Sequence, residues 1–165
     1  MNKQQHMLMK ILQKIPVFDG LELHEAEALI QVSTLRAIKK GDEVYKVGEP
    51  SSDMLVLIKG KLIVVSKEGK ELAAIPAGTS TGEMGVFTGH RRSATIVAAA
   101  DSLGLVLSRQ GLSQVMSTEK NIKGTILENV VSLLADRLEE ANNKYVEVSA
   151  ELEARAEAEA SSEVE

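Results

Sequence analysis

Cysteine is absent from the sequence, and so is tryptophan. The first absence removes disulfides, zinc–thiolate sites and thiol nucleophiles. The second, with only two Tyr and two Phe, leaves any core to be packed from Leu, Ile, Val, Ala and Met. Histidine is scarce too. His6, His24 and His90 are scattered, with neither HxH nor HExxH spacing, so no histidine-built metal site is expected. No stretch approaches the roughly 18 consecutive apolar residues of a spanning helix. Lys10, Gln13 and Lys14 interrupt the apolar N-terminal segment, which denies it a signal-peptide core. A soluble cytoplasmic protein with no membrane association is expected.

Excess positive charge is also missing. The net charge is -5, and it is unevenly spread, because Glu151, Glu153, Glu157, Glu159, Glu163 and Glu165 face only Arg155 in the last sixteen residues. The remainder holds 18 acids and 18 bases. Phosphate neutralisation along a nucleic acid needs clustered Lys and Arg, so direct DNA binding is not expected.

What is present is a chain of 165 residues, enough for one core-bearing domain and an appendage. Residues 1–31 read as helical: an amphipathic stretch over 2–14 that ends at Pro16, then ELHEAEALIQ over 22–31. Residues 32–117 change character. VSTLRAI, EVYKV, MLVLI, KLIVVS, ELAAI, ATIVAA and LGLVL recur between Gly, Pro, Asp and Ser, the pattern of an antiparallel sandwich or barrel rather than of βαβ units. Glu68-Gly69-Lys70 is the turn of a hairpin, and Gly41, Gly48 and Gly60 mark other corners. Ser108 is placed to cap a short helix, RQGLSQVM.

A long helix is expected over 118–152. Leu127, Val131, Leu134, Leu138, Ala141, Tyr145, Val148 and Leu152 are spaced 4, 3, 4, 3, 4, 3 and 4, which is the order of a coiled-coil seam. One helix cannot bury such a stripe, so a homodimer through residues 127–152 is expected, the alternative being that the stripe packs on its own barrel. Arg155 and Glu159 then fall at core positions, and residues 153–165 are expected to be frayed or disordered.

The segment GTSTGEMGVFTGHRRSATIVA, residues 78–98, carries the chemistry. An ionised carboxylate such as Glu83 only accepts hydrogen bonds and suits sugar hydroxyls; it can also orient Arg92. The planar fork of Arg92 matches phosphate oxygens. Gly82 and Gly85 bracket a segment able to form one helical turn with accessible N–H groups. Ser93 can donate to a phosphate oxygen, and Ala94 returns the chain to a strand. One small ligand bearing both a sugar and a phosphate would satisfy this set.

In this order and spacing the chain resembles the cyclic nucleotide-binding domain family, which includes catabolite activator protein and the regulatory subunits of cAMP-dependent protein kinase. The likeness runs over about residues 15–145. IPVFDGLELHEAEALI resembles the family's opening helices, GDEVYKVGEPSSDMLVLIKGKLIVV its first strands, and GEMGVFTGHRRSAT its phosphate-binding cassette. Thr81 stands where the family usually has a bulky apolar residue.

The resemblance implies a mainly β fold, a double-stranded β-helix (jelly-roll) barrel, with short N-terminal helices and a long C-terminal dimerisation helix. It implies that Glu83 takes the ribose 2′-hydroxyl and Arg92 the cyclic phosphate, assisted by backbone amides near Gly82, Met84 and Ala94. It also places Asn142 of LLADRLEEANNK among the groups that contact the base. The expected function is a non-catalytic receptor, for cAMP ahead of cGMP and with no cofactor, that signals to an unidentified effector protein through the dimer helices. The alternative is a scaffold whose pocket is silent or adapted to another anion or a cyclic dinucleotide. A cupin-like enzyme would need a His and carboxylate ligand cluster that the sequence does not offer. An arginine buried without an anion is costly, so an unliganded pocket is expected to be wet or collapsed.

Overall fold

The short apolar runs pair as antiparallel strands. In the structure, a computed structural model describing residues 3–118 and 121–162, these are β1 (Ser33–Ile38), β2 (Glu43–Tyr45), β3 (Asp53–Lys59), β4 (Lys61–Val65), β5 (Glu71–Pro76), β6 (Ser80–Thr81), β7 (Thr95–Ala98) and β8 (Ser102–Ser108). They form two four-stranded sheets, ordered β1-β8-β3-β6 and β2-β7-β4-β5. The fold is mainly antiparallel β with flanking helices and a long C-terminal helix, as the sequence predicts. The helices are α1 (Lys3–Leu12), α2 (Leu23–Gln31), α3 (Glu83–Thr88), α4 (Arg109–Thr118) and α5 (Ile122–Ser162), with a 3-10 turn at Pro16–Phe18.

The two sheets share one core. Ile38, Leu55 and Leu57 from the first meet Val44, Tyr45, Leu62, Ile75, Ile96 and Ala98 from the second. Tyr45 is its sole aromatic residue among those described. In β3 the other face is buried as well, through Met54 and Val56, because α3 packs against this strand. Strand β3 is thereby fixed on both sides, which matters because Asp53 stands at its start. Gly60, at φ +98°, makes the tight step from β3 to β4; a side chain there would meet the Ser102 backbone at 2.7 Å. The predicted hairpin joins β4 to β5, with Gly69 at φ +81°.

The chain divides into two compact units, residues 1–130 and 131–165, so the helical segment 1–31 and the sheets belong to one unit. In that unit α1 packs on α2 and α2 on α4, burying Met9, Leu12, Phe18, Leu29, Leu112 and Val115. The first turns of α5 join this unit through buried Ile122 and Ile126. Asn129 Nδ2 fastens them further by donating to the carbonyls of Val17, at 3.2 Å, and Asp19, at 2.8 Å. Ser108 Oγ accepts from Gly111 N at 3.0 Å and caps α4, as its position in the sequence suggests.

The second unit is the rest of α5. Its seam residues Val131, Leu138, Tyr145, Val148 and Leu152 are exposed in the single chain. The helix runs on past residue 153 to Ser162, and the last three residues lie outside those described. Ala and Glu are strong helix formers, and Glu151 precedes Arg155 by four residues, so local propensity carries the helix on after the seam has ended.

Candidate ligand-binding site

The GEMGVF segment forms the helical turn its glycines suggest, as α3. Gly82 stands at its N-cap in the left-handed region, at φ +86°. A Cβ at this position would lie 2.5 Å from Arg92 Nη1 and 3.0 Å from Tyr45 Cε2. Glycine is thus required twice here, for its backbone angle and for the approach of the arginine. Gly85 is buried, and a Cβ there would strike Ser51 Oγ at 2.0 Å, so this glycine lets α3 settle on the β2–β3 loop.

That loop grips the arginine segment by its backbone. Arg92 N donates to Glu49 O and Gly48 N to Arg92 O, both at 2.8 Å, and Arg91 Nη1 donates to Gly48 O at 2.8 Å. The Gly48-Glu49-Pro50 turn therefore sets where Arg92 enters the site. A second arginine, Arg109 at the start of α4, donates through Nη2 to Ser51 O at 2.9 Å and to Gly85 O, joining α4, the loop and α3.

The predicted site residues fall into two groups. Glu83 is fully buried and Arg92 is 7% exposed. Arg92 Nη1 lies 3.5 Å from the carbonyl of Gly82, the residue before Glu83. Met84 and Ser93 are exposed at the edge, and Ala94 is half-buried just before β7. Asn142 is exposed on the second unit.

The partners of Arg92 were not evident from the sequence. Its Nη2 pairs with Asp53 Oδ1 at 3.0 Å, and its guanidinium carbon stands 3.4 Å over the Tyr45 ring centroid. The Tyr45 hydroxyl donates to the same Asp53 oxygen at 2.6 Å. Burial first, and then this bond to Asp53, push the Tyr45 pKa far above its ordinary value, so the phenol stays a neutral donor. The expectation of a wet or collapsed pocket around an unliganded Arg92 is therefore corrected, because the protein itself supplies the anion. Two signals pointed to these partners: Tyr45 is the only aromatic residue in the strand-forming region 32–81, and Asp53 opens the apolar run MLVLI.

Among the described residues no cluster of three metal-ligating side chains occurs, and no helix is long and apolar enough to cross a membrane.

Comparison with known proteins agrees with this geometry. Residues 35–119 match the family model of the cyclic nucleotide-binding domain. A cyclic nucleotide-binding domain from Methylobacillus flagellatus superposes with a TM-score of 0.75 at 25% identity, covering 86% of this chain and 82% of that one. Thermus thermophilus catabolite activator protein gives a TM-score of 0.68 at 25% identity, over 81% of this chain and 63% of that one. Among curated sequences, Glutaminase 1 of Bradyrhizobium diazoefficiens is 28% identical over 129 residues, which is 78% of this chain but 21% of the glutaminase. The chain thus spans about a fifth of that relative's length. It belongs to the cyclic nucleotide-binding domain family.

Proposed function

We propose that the chain is a non-catalytic receptor for a cyclic nucleotide, cAMP ahead of cGMP, that passes its signal to a partner protein through self-association of α5. One observation carries the reading: a single segment holds Glu83 fully buried and Arg92 buried beside the Gly82 carbonyl that precedes it, so an acceptor suited to sugar hydroxyls and a fork suited to phosphate lie in one cassette. Gly82, Glu83, Met84, Gly85, Arg92, Ser93 and Ala94 make up the proposed cassette, and Asn142 is the proposed base contact. The exposed seam of the second unit supports pairing with a second copy, since its spacing is that of a coiled coil. Such a receptor acts in the cytoplasm, needs no cofactor and works only if the ligand binds one helix arrangement better than another. The likeness to enzymes covers only a small part of their length and supports a regulatory module rather than a catalyst.

A second reading, a scaffold with a silent or altered pocket, is favoured by one feature, the pairing of Arg92 inside the protein. Calorimetric titration with cAMP and then cGMP separates the two readings. The receptor binds, and Arg92→Ala weakens binding by at least about thirtyfold, the effect of truncating one partner of a buried charged pair. Absence of heat with both nucleotides rejects the receptor.

A further inference from the structure

We infer that Asp53 is a built-in rival of the ligand's phosphate: it holds Arg92 in an ion pair within the protein, and an anion binds by taking the arginine from it. The inference rests on the receptor reading above and deepens it.

The charge census of the site motivates it. The guanidinium is paired with Asp53 at 3.0 Å, and its Nη1 also approaches the carbonyl of Gly82, one residue before the buried carboxyl of Glu83. Arg91 and Arg109 are committed to main-chain oxygens, Arg91 to Gly48 and Arg109 to Ser51 and Gly85. An arriving phosphate therefore meets an arginine already neutralised, and it cannot join the pair without placing like charges side by side.

The two carboxyl groups differ in their freedom to yield. Glu83 is fully buried, whereas the Asp53 side chain is 29% exposed. Its Oδ1 holds Arg92 and Tyr45, but among the described residues its Oδ2 meets only the Ser52 hydroxyl, at 3.4 Å. Asp53 has water to turn to. Arg92 meanwhile keeps the Tyr45 ring against its face, so the guanidinium stays aimed when Asp53 leaves. The contact thus tunes affinity: it stabilises the unliganded protein by sparing it a bare buried cation, and it sets a threshold for the ligand.

The test titrates cAMP and cGMP into the full chain and its Asp53→Asn and Tyr45→Phe variants, with melting curves at zero and saturating nucleotide. Asp53→Asn is expected to bind about tenfold tighter, the effect of removing one partly screened like charge. It should melt below the wild type without nucleotide, yet gain more from saturation. Tyr45→Phe keeps the stacked ring but removes a hydrogen bond from Asp53, and is expected to bind a few-fold tighter. If Asp53→Asn does not fold, Tyr45→Phe decides the matter alone. Unchanged or weaker binding in the variants, with the wild type binding, overturns the inference and makes Asp53 an orienting group. No binding by any form, Asp53→Asn included, overturns the receptor reading and the inference with it.

Discussion

In its first turns α5 buries one set of apolar side chains: Ile122 and Ile126 are fully buried and Val130 is 5% exposed. The same helix displays a second set, with Val131 67%, Leu138 62%, Tyr145 74% and Leu152 60% exposed. The two sets are not one stripe. Residues 122, 126 and 130 run four apart, while the seam that starts at Leu127 is offset by one position, about 100° around the helix. A helix can thus carry one apolar face for its own unit and a second, beginning a residue later, for something outside that unit. Periodicity locates both faces but does not say which is which.

The sharpest way to break the comparison is to truncate one residue of each set. Ile126→Ala should cost about 2–5 kcal/mol of stability, read as a lower urea midpoint in circular dichroism. A loss below that range would mean that the buried stripe is loosely packed. Leu138→Ala should leave urea unfolding of the first unit almost unchanged but weaken self-association by about 1.5–2 kcal/mol, seen in sedimentation equilibrium as a tenfold to thirtyfold larger dissociation constant. Equal sedimentation of the two proteins would show that the seam serves a different partner.

Asn129→Ala removes the donor to the Val17 and Asp19 carbonyls. Its expected cost is about 1–2 kcal/mol, with amide exchange rising first at the start of α5. The smallest effect is expected from ending the chain after Leu152: less than about 0.5 kcal/mol on the first unit, with a loss of helical signal from residues 153–162.

The strands were legible because their apolar runs are short and separated by turn residues, and the hairpin at Gly69 and the cap at Ser108 follow from local chemistry alone. The buried members of the site were legible for a related reason, since Glu83 and Arg92 sit on one continuous segment with a recognisable spacing. The partners of Arg92 were not. Asp53 is 39 residues away and Tyr45 still further, and only the pairing of β2 with β7 and the grip of the β2–β3 loop bring them to the guanidinium. The packing of Gly85 against Ser51 was not legible, because a glycine serving close packing and one serving ligand approach look alike in sequence. The end of α5 was misread because the seam stops before helix propensity does.

Each unit contains one tyrosine, and the chain has no tryptophan. Tyr45 lies under Arg92 with its hydroxyl on Asp53, and Tyr145 lies exposed on the seam. The protein therefore carries its own optical label at the cassette. In a Tyr145→Phe chain all tyrosine emission comes from the ring that the arginine covers, where the bond to a carboxylate quenches it. Release of Asp53 should brighten that emission without any added dye.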